Sequence, residues 1–206
     1  MSTPAQPLLP SENVQNALQG LACELSVGRD GSATVVLARE LVHDALARLR
    51  DRAGFEQCTL VTAVDHLMDE TQASAAHERY EVVWQLLCTT RVLGGRAERV
   101  RLRARVPESD ARVASCVDLW PGAAYAEREC FDMFGIRFDG HAGLKRLLMP
   151  EEYEHYPLRK DFPHEGIEPD KLYRAWDRAR RAADPSAAPA HAPASNPAPD
   201  PAFRRA

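Results

Sequence analysis

A chain of 206 residues with 26 Lys and Arg against 30 Asp and Glu has a formal charge of −4, which disfavours a general nucleic-acid binder. The length suits one domain with a proper core and some tail. No run of about 18 apolar residues is present to span a bilayer, and the opening MSTPAQPLLPSENVQ has neither the basic nor the apolar region of a secretory signal.

Residues 1–11 read as a disordered lead, and Ser11 as the cap of a short helix reaching about Gly20. ELSVGRDGSATVVLA reads as strand, turn and strand, with Asp30-Gly31 at the turn. Residues 39–53 predict an amphipathic helix with Leu41, Ala45, Leu46 and Leu49 on one face and Gly54 as its C-cap. Strands are expected over 58–67 and 79–90, then a turn at Gly94-Gly95. In the next strand Arg99, Arg101, Arg103 and Arg105 alternate with Val100, Leu102, Ala104 and Val106. The arginines read as a solvated sheet face. A helix is predicted over 109–119 with Ser109 as cap, and a second from Pro121 through Phe134 with Gly135 as C-cap. Residues 136–168 lack periodicity. A last helix is expected over 169–182, opened by Pro169 and carrying Leu172 and Trp176. The Ala/Pro-rich residues 183–206 read as disordered. The order predicts an α+β domain over 12–135 with an open mixed or antiparallel sheet and helices packed on it. An extended irregular C-terminal arm and terminal helix follow over 136–182.

The spacing supports little catalysis. There is no GxGxxG, GxSxG, HExxH or HxxxH. The cysteines, Cys23, Cys58, Cys88, Cys116 and Cys130, are odd in number, widely spaced and without a CxxC, so they read as buried thiols acting as small apolar residues. A stand-alone metalloenzyme using His141, His155 and His164 requires the arm to fold back on itself, and local backbone hydrogen bonds are the more usual role of such histidines.

The densest stretch is ERECFDMFGIRFDGHAGLKRLLMPEEYEHYPLRKDFP, residues 127–163. Its helix presents Tyr125, Phe131, Met133 and Phe134 around the circumference together with Glu127, Glu129 and Asp132, so burial on several sides is expected. Arg128 and Asp132 can pair at i,i+4, and the remaining charges need partners from another surface. Pro157 and Pro163 set an extended course for Leu158, Arg159, Lys160, Asp161 and Phe162, which suits an arm lying across a partner protein.

These residues closely resemble the signature of the 30-kDa-type subunit of respiratory complex I, in bacteria the C subunit of the proton-translocating NADH–quinone oxidoreductase. One departure is Ala142, where the family usually has Pro after Gly-His. The resemblance implies a cofactor-free component of the peripheral arm on the cytoplasmic side of the membrane. It implies docking on the large hydrogenase-like D subunit, near the B and I subunits, with FMN, Fe–S clusters, NADH and quinone all bound elsewhere in the complex. The docking residues would be Glu127, Arg128, Glu129, Asp132, Phe134, Gly135, His141, Leu158, Arg159, Lys160, Asp161 and Phe162, with no catalytic or metal-binding residue in this chain. The homologous subunit of a membrane-bound hydrogenase, or of a ferredoxin- or F420H2-linked quinone reductase, is the alternative within the same class.

Overall fold

The computed structural model describes residues 10–28, 30–67, 78–93, 95–164, 166–167 and 178–183. Ser11 caps α1 (Glu12–Ala17), its hydroxyl accepting from the Val14 amide at 3.4 Å. β1 (Cys23–Val27) and β2 (Ala33–Leu37) form the expected antiparallel hairpin. A 3₁₀ turn over Arg39–Leu41 leads into α2 (Val42–Asp51), whose Val42, Ala45, Leu46 and Leu49 are buried. The helix ends as the glycine predicts: Gly54 takes φ of +68°, and the Phe55 amide reaches back to the Leu49 carbonyl at 3.1 Å.

β3 (Gln57–Asp65), β4 (Tyr80–Leu93) and β5 (Arg96–Val106) complete a five-stranded sheet in the order β1-β2-β5-β4-β3. Only β2 and β5 run parallel in it, so the sheet is mixed, and the class is α+β. Alternation along β5 holds: Val100, Leu102, Ala104 and Val106 are fully buried beside Val35, Val82, Trp84 and Leu86 of the neighbouring strands. The opposite face bears the arginines, and they are not simply solvated. Arg103 reaches the buried Glu81 at 2.6 Å, Arg105 the same carboxylate at 3.4 Å, and Arg101 reaches Asp30 at 3.1 Å.

The predicted helix over 109–119 is not formed. Glu108–Asp110 make one 3₁₀ turn, and β6 (Arg112–Ala114) follows as a strand. The reason is tertiary. β6 pairs in parallel with β7 (Arg137–Asp139), inside the stretch that has no visible periodicity, and this pairing buries Val113 and Phe138. Ser109 therefore caps no helix. After a 3₁₀ turn at Pro121–Ala123, α3 (Ala124–Phe134) runs to Gly135, in the left-handed conformation at φ of +77°. α3 packs on β3, where the Cys130 thiol meets the Val61 carbonyl at 3.6 Å.

The chain divides into two compact units, Met1–Phe162 and Pro163–Ala206. The first takes in the arm as far as Phe162, together with the 12–135 domain. In the second, residues 178–183 are helical. Pro169, Leu172 and Trp176 of the predicted last helix lie outside the described residues, as do residues 1–9 of the lead and 184–206 of the tail.

Candidate functional site

The candidate site is α3 together with the segment 140–162 that returns over it. Glu127 is fully buried on α3. Its carboxylate accepts from the Ser115 hydroxyl at 2.6 Å and the Cys116 amide at 2.7 Å. It thereby holds the end of β6 against the helix. Asp132 is also fully buried. One oxygen accepts from the amides of Leu147 (2.9 Å), Leu148 (2.6 Å) and Met149 (2.9 Å), and the other from Arg146 Nη1 at 2.7 Å. Burial pushes the Asp132 carboxyl upward, but the three amides and the guanidinium outweigh it and hold the group below the usual carboxylate range.

Two sequence expectations change here. Arg128 does not pair with Asp132; it donates to the Lys145 and Arg146 carbonyls at 3.1 and 3.0 Å and lies over the Tyr125 ring. The charges of Glu127 and Asp132 do not wait for an outside surface either, since the chain's own returning segment and β6 supply their partners. An i,i+4 rule cannot anticipate this, because Arg146 is fourteen residues from Asp132.

The arm is seated at a second point. The Leu158 amide donates to the Met133 carbonyl at 3.2 Å, and Arg159 Nε to the Phe134 carbonyl at 2.7 Å, so two of the orphan carbonyls at the end of α3 are satisfied. The Arg159 guanidinium stacks on Tyr156 at 4.1 Å and faces Tyr80 at 5.3 Å. Gly135 makes this approach possible. A Cβ there would stand 2.5 Å from Arg159 Nη2 and 2.7 Å from Tyr156 Cζ, in a backbone conformation that L residues seldom adopt. Gly135→Ala is therefore expected to cost about 2–4 kcal/mol, combining left-handed strain with overpacking. Urea unfolding measures it, and a loss within about 0.5 kcal/mol, the range of an ordinary surface change, would show that the arm does not sit here.

The third anchor lies on the sheet. Arg79 forks onto Asp65, with Nε to Oδ1 at 3.0 Å and Nη2 to Oδ2 at 2.8 Å. It also meets Asp161 at 2.8 Å and contacts Glu108. Asp65 accepts in addition from the Lys160 amide at 2.9 Å and the Leu67 amide at 3.0 Å. Sequence reading misses Arg79, Asp65, Arg146, Tyr156 and Ser115. Only Asp65 carries a signal: it stands at the inward parity of β3, in register with the buried Val61 and Ala63.

The histidines do not converge. His141 Nε2 meets the Ala124 carbonyl at 3.2 Å and its Nδ1 accepts from the Gly143 amide at 3.1 Å, closing the turn in which Ala142 is exposed. His155 packs edge-on to Tyr153. Among the described residues no three His, Cys, Asp or Glu side chains are arranged to hold a metal ion. With the inner charges engaged, several side chains of α3 and of the segments pinned to it stay exposed: Tyr125, Leu148 and Leu158 are 67%, 65% and 51% exposed, and Glu129 and Lys160 are exposed as well. Phe134 is buried and Phe162 half-buried.

Residues 35–168 match the family model described as respiratory-chain NADH dehydrogenase, 30 Kd subunit. The C subunit of the NADH-quinone oxidoreductase of Trichlorobacter lovleyi is 36% identical over 155 residues, which is 75% of this chain and 88% of that protein. Subunit 5 of the Thermus thermophilus enzyme is 38% identical over 133 residues, 65% of this chain, and the match spans only 62% of that protein. Among solved structures, a trypsin-resistant fragment of Nqo5 shares 31% identity at a TM-score of 0.55, covering 65% of this chain and 98% of the fragment. A chain of an archaeal membrane-bound sulfane sulfur reductase shares the fold, at a TM-score of 0.60 and 24% identity over 80% of this chain and 91% of that one. From the family match and the coverage of its relatives, this chain belongs to the 30 kDa subunit family of the respiratory-chain NADH dehydrogenase.

Proposed function

We propose that the chain is a scaffold component of the peripheral arm of a proton-translocating NADH–quinone oxidoreductase. It holds no cofactor of its own. It docks on the D subunit that helps form the quinone site, beside the B and I subunits, on the cytoplasmic side of the membrane. FMN and the Fe–S clusters of the partner subunits carry the electrons from NADH to quinone. No described helix is long and apolar enough to cross a membrane, so membrane association in this reading passes through the complex.

The observation that carries the reading is the division of labour within 125–162. Glu127, Asp132, Arg146 and Arg159 are engaged by the chain itself, while Tyr125, Glu129, Leu148, Leu158 and Lys160 face outward. Apolar side chains rimmed by charge are what a protein interface requires. Gly135, His141, Arg128, Asp161 and Phe162 support that surface more than they form it, because their contacts are internal or only half-exposed.

Affinity purification of the tagged chain from its native membrane tests this. The D, B and I subunits and the NADH-binding flavoprotein are expected to co-purify. The double variant Leu158→Asp, Glu129→Arg is expected to lower their recovery at least about tenfold, the effect of losing one or two interface anchors, with an unchanged circular dichroism spectrum of the isolated chain. Normal recovery with reduced turnover would refute the docking role. Partner subunits without the flavoprotein would move the chain to a hydrogenase- or ferredoxin-linked assembly.

A further inference from the structure

The five-stranded sheet has two outer strands, β1 and β3, and they differ in how they are protected. β3 is blunted: its register slips between Cys58 and Leu60, α3 packs on it, and its Val61 carbonyl meets the Cys130 thiol at 3.6 Å. Irregularity and cover are the usual defences of an edge. β1 has an unbroken register with β2, from Cys23↔Leu37 to Val27↔Ala33, and among the described residues it pairs with no other strand. Its sequence, CELSV, contains no Pro, Lys or Arg, and Glu24, Leu25 and Ser26 are all exposed.

Backbone parity sets what this edge offers. The Gly28 amide donates to the Ser32 carbonyl at 2.9 Å, one step beyond Val27↔Ala33 in the same register. In an antiparallel pair, residues bonded to the neighbour alternate with residues turned away from it. Glu24 and Ser26 therefore face β2 as Gly28 does. The amides and carbonyls of Cys23, Leu25 and Val27 point out of the sheet, and among the described residues no hydrogen bond reaches them. Their side chains stand on the core face, opposite the buried Leu37, Val35 and Ala33. That face is incompletely covered at the edge, where Leu25 is exposed and Cys23 and Val27 are half-buried. Unpaired backbone with apolar side chains on one face is what an added strand completes.

The strand is complementary to itself. Set antiparallel about a two-fold axis at Leu25, Leu25 lies opposite its own copy, Cys23 opposite Val27 of the second copy, and Glu24 opposite Ser26 of the second copy. Every outward residue then meets an outward residue, so each outward amide finds a carbonyl. Apolar side chains meet apolar ones, and the one charge faces a hydroxyl rather than a second carboxylate. We propose that β1 is a self-association edge, to which a second copy of this chain adds antiparallel and joins the two sheets into one. A five-residue strand pair is a small interface, so the dimer dissociates on dilution. The side chains of the docking surface stay outside this contact, because α3 packs on β3, at the other end of the strand order.

Sedimentation of the full-length chain from about 10 μM to about 1 mM, a span that covers weak interfaces of this size, is expected to show monomers passing to dimers. Leu25→Pro removes an outward amide and leaves the bonds to β2 in place, as edge strands tolerate, and is expected to stay monomeric throughout. Charge tests the register. Ser26→Lys sets a cation opposite Glu24 of the other copy, twice per dimer, and is expected to tighten association about three- to tenfold; Ser26→Glu is expected to weaken it by about the same factor. Ala142→Lys, the same change of charge at an exposed residue outside β1, is expected to leave association unchanged. Should Leu25→Pro fail to fold, the two Ser26 variants decide. A chain that is monomeric at the highest concentration overturns the proposal, as does a dimer that responds alike to Ser26→Lys and Ala142→Lys. Protection of the Leu25 amide from hydrogen exchange in the assembled complex alone would give the edge to a strand of another subunit, and overturns it too.

Discussion

Asp132→Ala is expected to lower the unfolding free energy by about 3–5 kcal/mol, the range for stripping one partner from a buried charged cluster. Three consecutive amides and a guanidinium converge on this one carboxylate, and alanine gives none of them an acceptor. Each stranded buried amide costs about 1–3 kcal/mol unless the segment moves to water. The 145–149 segment is therefore expected to lift from α3 in the variant, and cleavage at Lys145 or Arg146 by trypsin to quicken. Asp132→Asn keeps the shape and one acceptor oxygen but loses the charge, so its loss is expected to be smaller. The pH dependence follows from the depressed carboxyl. Its contribution is fully present above the unfolded-state value of about 3.9 and is lost as pH falls through the lower folded value. The acid limb of Asp132→Ala is accordingly shallower than that of the unaltered chain below about pH 4. Urea titrations across that range measure both effects, and a variant within about 1 kcal/mol of the unaltered chain, the size of an ordinary surface substitution, would sink the account.

Arg79→Ala is the second large effect, and is also expected to cost about 3–5 kcal/mol. The Arg79 side chain is only 8% exposed and that of Asp65 is fully enclosed. Removing the guanidinium leaves Asp65 buried with amide donors alone, and leaves Asp161 without its counter-charge. Lysine is not expected to rescue it, because one ammonium cannot reproduce the two-point fork on Asp65 while reaching Asp161. The Lys160–Phe162 end of the arm is expected to loosen, so trypsin cuts after Lys160 sooner. In a double-mutant cycle Arg79→Ala and Asp65→Ala should couple by more than about 1 kcal/mol. Additive losses would mean that the fork contributes little and that the arm is held by its anchors on α3.

The two anchors separate what is local in this chain from what is not. The apolar stripe of α2, the hairpin at Gly31 and the arginine/valine alternation of β5 are legible because each is a repeat of 3.6 or 2 residues within one element. The helix expected over 109–119 fails for the complementary reason. Arg112, Val113 and Ala114 have backbone partners at Arg137, Phe138 and Asp139, and no local pattern announces a pairing across that separation. The motif within 127–163 is likewise readable as a signature, and it leads to the family directly. What each of its charges does is not readable there.

The α+β class, most strand and helix positions, the glycine-terminated helix before the arm and the family to which the chain belongs are all legible in the order of residues. It takes the packed chain to show that Glu127 meets Ser115 and Cys116, that Asp132 meets Arg146 and three amides, and that Arg79 joins Asp65 to Asp161. Helix and strand formation respond to neighbours a few residues apart, whereas a buried charge is satisfied by whichever donors the packed chain brings within about 3 Å, however distant in sequence. The stretch dense in charge and aromatics is thus two things at once: an internal clamp built from its buried groups, and a set of exposed side chains that the clamp does not use.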